Sequence, residues 1–353
     1  MAIETKNKLI VFPKPGKLTV IIIGALLIIF GIRAFELYGY IFKPNVAQNC
    51  VIFIPSGSSF DQVENILTEQ KVFKNMKAFK WIANRKQYKS SIKPGRYELK
   101  EGWSTNVAIN KLRSGNQDPV KLTFSNVRLF SELAGKISHY IETDSISLYQ
   151  KFTDSNTIKK YQFEKTSFSA MFIPNTYEFY WTTSADQFLE RMYAEYKHFW
   201  TPERMKKAKD QGLTTVEATT LASIVQEETA KNEEKPAIAG LYLNRLKMGM
   251  ILQADPTIKY ALQDFGIRRI TNDMLQIDSP YNTYKYAGLP PGPINFPETS
   301  SIDAVLNPKQ HNYIYMCAKE DFSGFHNFAT NLTDHLKNAS RYQKALNQKK
   351  IWK

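Results

Sequence analysis

Two acids stand side by side at the end of an otherwise apolar run, in ASIVQEETAKNEEKPAIAGLYLNRL, residues 222–246. The stretch from Thr215 to Lys231 contains neither Gly nor Pro and reads as one helix. At 100° per residue, Leu221, Ile224 and Val225 form an apolar stripe, and Glu228 falls inside it, about 20° from Leu221. Glu227 falls about 120° from Leu221, beside Thr220 and Ser223, and is expected to face solvent, with Gln226 on the other flank. Desolvation disfavours a charged carboxylate and raises its pKa. A carboxylic acid that stays protonated near neutral pH is what a glycosidic oxygen needs as proton donor. The structural alternative is an ion pair between Glu228 and a cation of the following helix, such as Arg245, that ties the fold and does no chemistry.

The elements around this pair can be read in the same way. Pro236 opens a second helix, with Ile238, Leu241, Tyr242 and Leu246 inward and Gly249 ending it. Asp255-Pro256-Thr257 reads as an N-cap followed by Pro at the first helical position. Gly288-Leu-Pro-Pro-Gly reads as a rigid turn. Nearer the N-terminus, Val51 to Ile54 is a predicted strand, and Ser58 or Ser59 caps a helix whose apolar positions are Phe60, Val63, Ile66 and Leu67. A helix over Met76 to Arg85, a strand and turn, a helix closing at Gly115 and a strand over Val120 to Phe124 complete a small α+β module, either a spacer or a glycan binder, since short βααβ units of this kind resemble LysM domains. Residues 126–200 read as mostly helical, interrupted by SAMFIPNTYEFYWTTS; the aromatics from Phe168 to Trp200 are either core or a platform for sugar rings.

Taken together, ASIVQEET, YLNRLKMGMILQADPTIKYAL, YNTY, GLPPGPI and GFHNFATNLTDH resemble the endolytic murein transglycosylases, the MltG or YceG-like family, and FIPNTYEF is similar to that family's F-x-P-D-T-Y segment. The resemblance implies an α+β chain: a cytoplasmic tail at 1–17, a single transmembrane helix at 18–42, a LysM-like module at 48–125 and a mixed α+β catalytic domain at 126–353. It implies cleavage of nascent glycan strands between N-acetylmuramic acid and N-acetylglucosamine, giving 1,6-anhydro ends, with no cofactor and no metal. The family's acid is the Glu before Thr, here Glu228, and Asn244, Gln253, Tyr281, Asn282 and Tyr284 match polar positions expected to bind substrate. The implied partners are peptidoglycan strands and the synthases that polymerise them, the penicillin-binding proteins.

Three positions depart from the family's pattern: Gln226 where many members have Glu, Asn175 where the usual residue is Asp, and Asn-Phe-Pro-Glu after GLPPGPI. Two other readings stay open. A lysozyme-like hydrolase would need a second carboxylate, for which Asp255 is the candidate, because Glu227 diverges from Glu228 by about 100°. A wall-binding scaffold would need no acid at all. His326 and His335 are either acid–base partners or ordinary structural histidines.

Composition is compatible with this reading. The 353 residues are 43% hydrophobic and 13% aromatic, which supports folded domains, and the net charge of +14 is spread without a basic block. No zinc-ligand spacing, RNP-like motif or P-loop occurs, so nucleic acid is not an expected partner. Cys50 and Cys317 form no disulfide framework; they are two thiols or a single bridge. The uncharged run Leu18 to Ile32 is short for a membrane span, but Lys17 and Arg33 can snorkel and Ala34 to Phe42 extends it. No small-x-small cleavage site follows, and Lys6, Lys8, Lys14 and Lys17 precede the run. These features predict an uncleaved anchor in the cytoplasmic membrane, with the N-terminus inside and the catalytic domain outside.

Overall fold

The computed structural model describes residues 16–349, so that Lys6, Lys8 and Lys14 lie outside the described residues. Two compact units result, one ending at Asp118 and the other beginning at Pro119.

The first unit begins with α1 (Lys17–Phe42), 26 residues whose most apolar window has a mean hydropathy of 2.5 and buries none of its length. At 1.5 Å per residue it is about 39 Å long, enough to cross roughly 30 Å of hydrocarbon. The helix runs unbroken past Arg33, whose guanidinium pairs with Glu36 one turn on at 2.9 Å. Then follow β1 (Cys50–Ile54), α2 (Phe60–Glu69), α3 (Met76–Arg85), β2 (Gly95–Leu99) and α4 (Thr105–Ser114). Ser59 is the cap of α2, in a reciprocal pair with Gln62, and Gly115 closes α4 in the left-handed region at φ 72°. β1 and β2 pair antiparallel, Cys50 opposite Leu99 and Ile54 opposite Gly95. Ile52, Val63, Leu67, Phe79, Tyr97 and Leu112 build their core.

β3 (Val120–Thr123) does not return to that module. It pairs with β4 (Thr176–Phe179) in the second unit, Leu122 opposite Tyr177, because its apolar side chains fill the second unit's aromatic core. Between them lie α5 (Phe130–Ser138), α6 (Ser145–Thr153) and α7 (Ser155–Lys160). The aromatics of this region are core: Phe152, Phe168, Phe172 and Phe188 are fully buried and meet edge to face, tilted or, for Phe172 and Phe188, stacked.

After α8 (Ala185–Phe199) and α9 (Pro202–Asp210), a second core forms around α10 (Thr215–Glu228), α11 (Lys235–Lys247), α12 (Asp255–Leu262) and α13 (Thr299–Leu306). Every residue of α10 from Ala218 to Val225 is buried. That stretch therefore exposes no face to solvent; its buried threonine hydroxyls bond back to the helix's own carbonyls, Thr219 to Thr215 at 2.8 Å and Thr220 to Val216 at 2.9 Å. The antiparallel hairpin of β5 (Tyr315–Ala318) and β6 (His326–Ala329), backed by α14 (Leu332–Gln348), completes the unit. Cys50 and Cys317 are both free thiols.

Gly292 allows the proline-rich turn to lie against the segment before α8. A Cβ there would stand 1.8 Å from the Thr166 carbonyl oxygen, so only glycine permits the approach.

Candidate active site

α10 stops earlier than its sequence predicts. Thr229 is extended, at φ −147° and ψ 138°, and its hydroxyl accepts the Lys231 N–H at 3.0 Å, so that Glu228 is the last helical residue. Its carboxyl is thereby placed at a helix end next to open space, not along a packed flank.

The two neighbouring acids are treated differently. Glu227 is not solvated as the helical wheel predicts: Arg128 donates to its Oε2 at 3.0 Å and the Asn295 amide to its Oε1 at 2.9 Å. Asn295 and Ile294 are in turn bound to Ser223, through its carbonyl and its hydroxyl, which locks the turn onto α10. Glu228 has no cation in contact among the described residues. Tyr242, fully buried on α11, donates its phenol to Glu228 Oε1 at 2.6 Å, and Oε2 has no partner among the described residues. Arg245, the alternative ion-pair partner, is turned to backbone carbonyls: Nε donates to Ile314 and Nη1 to Leu252, both at 2.7 Å.

Burial pushes the Glu228 carboxyl up to about 7; the Tyr242 hydrogen bond opposes this, nearby Asp255 adds to it, and His326 and Arg245 pull weakly the other way. The phenol of Tyr242 is itself raised well above its usual range by burial and by Glu228, so it remains a donor. With Oε1 occupied, the transferable proton belongs on Oε2, the oxygen left to the cleft.

Glu228 opens onto two hollows. One, of about 260 Å³, is walled by Tyr242, Gln253, Asp255, Tyr284 and the β5–β6 hairpin with His326. The other, of about 290 Å³, lies along Asn126 to Arg128. Glu228, Gln253 and Tyr284 thus share one cleft. The other predicted substrate-binding positions lie elsewhere. Asn244 holds the carbonyls of His311 and Tyr313 with its amide, at 2.8 and 3.1 Å. Asn282 is fully buried and pins the Leu275 and Ile277 carbonyls. The Tyr281 ring packs on Tyr260, centroids 4.6 Å apart.

Asp255 is not an N-cap. Ala254 occupies that position without a side-chain bond, and Thr283 organises the helix start by accepting the Ala254 N–H at 3.0 Å. Asp255 is free to point into the cleft, where the Tyr284 hydroxyl donates to it. His326 is fixed by Glu234, which accepts its backbone N–H at 2.7 Å and lies 2.8 Å from Nδ1. His335 is stacked on Tyr315 at 5.1 Å, outside this cleft. Gln226 accepts the Glu298 N–H and the Ser301 hydroxyl, joining α10 to the start of α13. Asn175 accepts the N–H of Thr176 at the start of β4. No group of three or more metal-binding side chains occurs among the described residues.

Sequence reasoning missed Tyr242, Arg128 and Thr283. Tyr242 reads as one more inward apolar residue of α11; the signal is its hydroxyl, since a buried Tyr needs a partner. Nothing local marks Arg128, which lies 99 residues before Glu227.

A model of the YceG-like family matches residues 52–341. The chain is 31% identical over 315 residues to a Bacillus subtilis protein named endolytic murein transglycosylase, covering 84% of this chain and 86% of that one. A protein of the same name from Streptococcus pneumoniae is 26% identical over 84% of this chain, which spans 59% of that longer relative. A crystal structure of a YceG-like protein from Listeria monocytogenes superposes with a TM-score of 0.54 at 28% identity, over 82% of this chain and 99% of the other.

Proposed function

The chain belongs to the YceG-like family, and from that premise we propose that it is a membrane-anchored endolytic lytic transglycosylase of peptidoglycan. The observation that carries this reading is Glu228: a carboxyl held near neutrality without a counter-ion, one oxygen fixed by Tyr242 and the other turned to a cleft. A proton donor in that state protonates the glycosidic oxygen that leaves the N-acetylmuramic acid C1. The resulting carboxylate then takes the proton of the muramyl C6 hydroxyl as that oxygen bonds to C1. One C–O bond breaks, one forms, no water is consumed, and a 1,6-anhydro end results. The two hollows that Glu228 lines support cleavage inside a strand, because a polymer must continue past the acid in each direction.

Gln253 and Tyr284 are the substrate-binding positions that the cleft supports best. In this reading α1 is the anchor in the cytoplasmic membrane, N-terminus inside; its length and hydropathy support that placement. The first unit is a LysM-like glycan-binding module, supported by its β1–α2–α3–β2 order. Synthases that extrude un-cross-linked strands, the penicillin-binding proteins, are the proposed partners.

One observation favours a second reading, a lysozyme-like hydrolase: Asp255 shares the Glu228 cleft and is not occupied by capping. Incubating the detergent-solubilised full chain with peptidoglycan and weighing the new muramyl ends separates the two. Ends one water lighter than reducing ends, absent in Glu228→Gln, are expected. Reducing ends that vanish in Asp255→Asn would establish the hydrolase instead.

A further inference from the structure

Beside the Glu228 cleft, the second unit holds a cavity of about 350 Å³, within the size range of pockets that take small ligands. Phe130, Phe152 and Tyr260 give it an aromatic lining; its charged residues are Arg128 and Lys165, and no acidic side chain lines it. Among the described residues Lys165 has no ion pair or hydrogen bond, and the Ser131 and Ser169 hydroxyls have no partner. Arg128 gives only Nη2 to Glu227 and stacks over Phe265 at 5.1 Å, so Nε and Nη1 keep their donor capacity.

An unpaired lysine, an arginine with spare donors and unengaged hydroxyls over an aromatic lining are the chemistry that holds a short peptide ending in a carboxylate. Arg128 also lines the hollow beside Asn126 into which Glu228 opens, so the two share a wall residue. The wall is rigidly tied to the acid. Thr166 lies against Gly292, and the same turn reaches α10 through Ile294 and Asn295.

We propose that this cavity binds the free carboxylate of a stem peptide on a muramyl residue near the scissile bond, so that the enzyme selects strands by their uncapped stems. The inference rests on the peptidoglycan reading above and adds a specificity site to it.

The test uses the full chain in detergent and two pools of un-cross-linked strands, one with free stem carboxylates and one with the same carboxylates converted to methyl amides. The wild type is expected to cleave the first pool about tenfold faster, the worth of one charge-assisted hydrogen bond. Lys165→Glu is expected to bring the ratio toward one, and Lys165→Arg to keep it. Partial misfolding would slow both pools alike, so the ratio is the readout. A second arm needs no turnover: a synthetic stem pentapeptide is expected to bind Glu228→Gln protein, and its C-terminal amide is not. Equal cleavage of both pools by the wild type, a ratio undiminished in Lys165→Glu, or equal binding of the two peptides would overturn the inference alone. Cleavage of neither pool would overturn the glycan reading and this inference with it.

Discussion

Glu227 and Glu228 are adjacent on one helix, yet the two regions they face give them opposite chemistry. On the α5 side, Glu227 meets a guanidinium and an amide, and both its oxygens are engaged. On the α11 side, Glu228 meets one phenol, and the nearest guanidinium, Arg245, is committed to carbonyls. The first arrangement braces a loop; the second holds a proton ready. In the proposed reaction, a carboxylate becomes reactive through the partners withheld from it.

The contrast is sharpest in catalysis. Glu228→Gln is expected to lower strand cleavage about 10³-fold, the usual worth of a general acid, while Glu227→Gln keeps the acid and most of the rate. Product mass spectrometry on both variants checks this, and an inactive Glu227→Gln beside an active Glu228→Gln would break the comparison. Next in size is the pH profile. Since Glu228 must be protonated to donate and its pKa is raised to about 7, kcat/KM is expected to fall about tenfold per pH unit above that point. A profile flat to pH 9 would mean that another group supplies the proton.

Stability should separate the pair in the other direction. The folded pKa of Glu228 lies above the ordinary glutamate value of 4.5, so the folded chain binds the extra proton between about 4.5 and 7. Stability therefore falls as pH rises through that window. Glu228→Gln is expected to be more stable than the wild type by about 2 kcal/mol at pH 8, less than the full linkage value because the cleft admits water, and no more stable at pH 4. Glu227→Gln is expected to lose about 1 kcal/mol at pH 8, since Arg128 loses its charged partner. Thermal melts at the two pH values measure both. The smallest effect is that of Tyr242→Phe. Its hydrogen bond favours the carboxylate, so its removal should move the alkaline limb of activity to higher pH, at a stability cost of about 1 kcal/mol.

Much of the fold was legible because it follows from local chemistry. The span of α3, the Ser59 cap, Gly115 at the end of α4 and the Pro236 helix all rest on neighbours within a few residues. β3 was misplaced because a four-residue strand names no partner; Leu122 belongs to an aromatic core assembled from residues up to Phe296. In the site, the wheel singled out Glu228 by its alignment with Leu221, Ile224 and Val225, although Ala218 to Val225 are all buried and the wheel cannot show that Glu228 ends the helix beside a cleft. The same reasoning misjudged Glu227, because a wheel shows which flank is polar and not whether that flank is covered.

The sequence by itself determined helices such as α2, α3, α4 and α11, the apolar N-terminal segment and the position of an acid among apolar residues, all set by periodicity, capping and composition over short range. The tertiary structure alone decided how the two acids are partnered. Arg128 and Asn295 reach Glu227 from 99 and 68 residues away, and Tyr242 and Asp255 approach Glu228 from separate helices. Such contacts leave no local pattern, because an ion pair or a buried phenol is specified by where two helix ends and a turn are brought to pack, not by the spacing of residues along the chain.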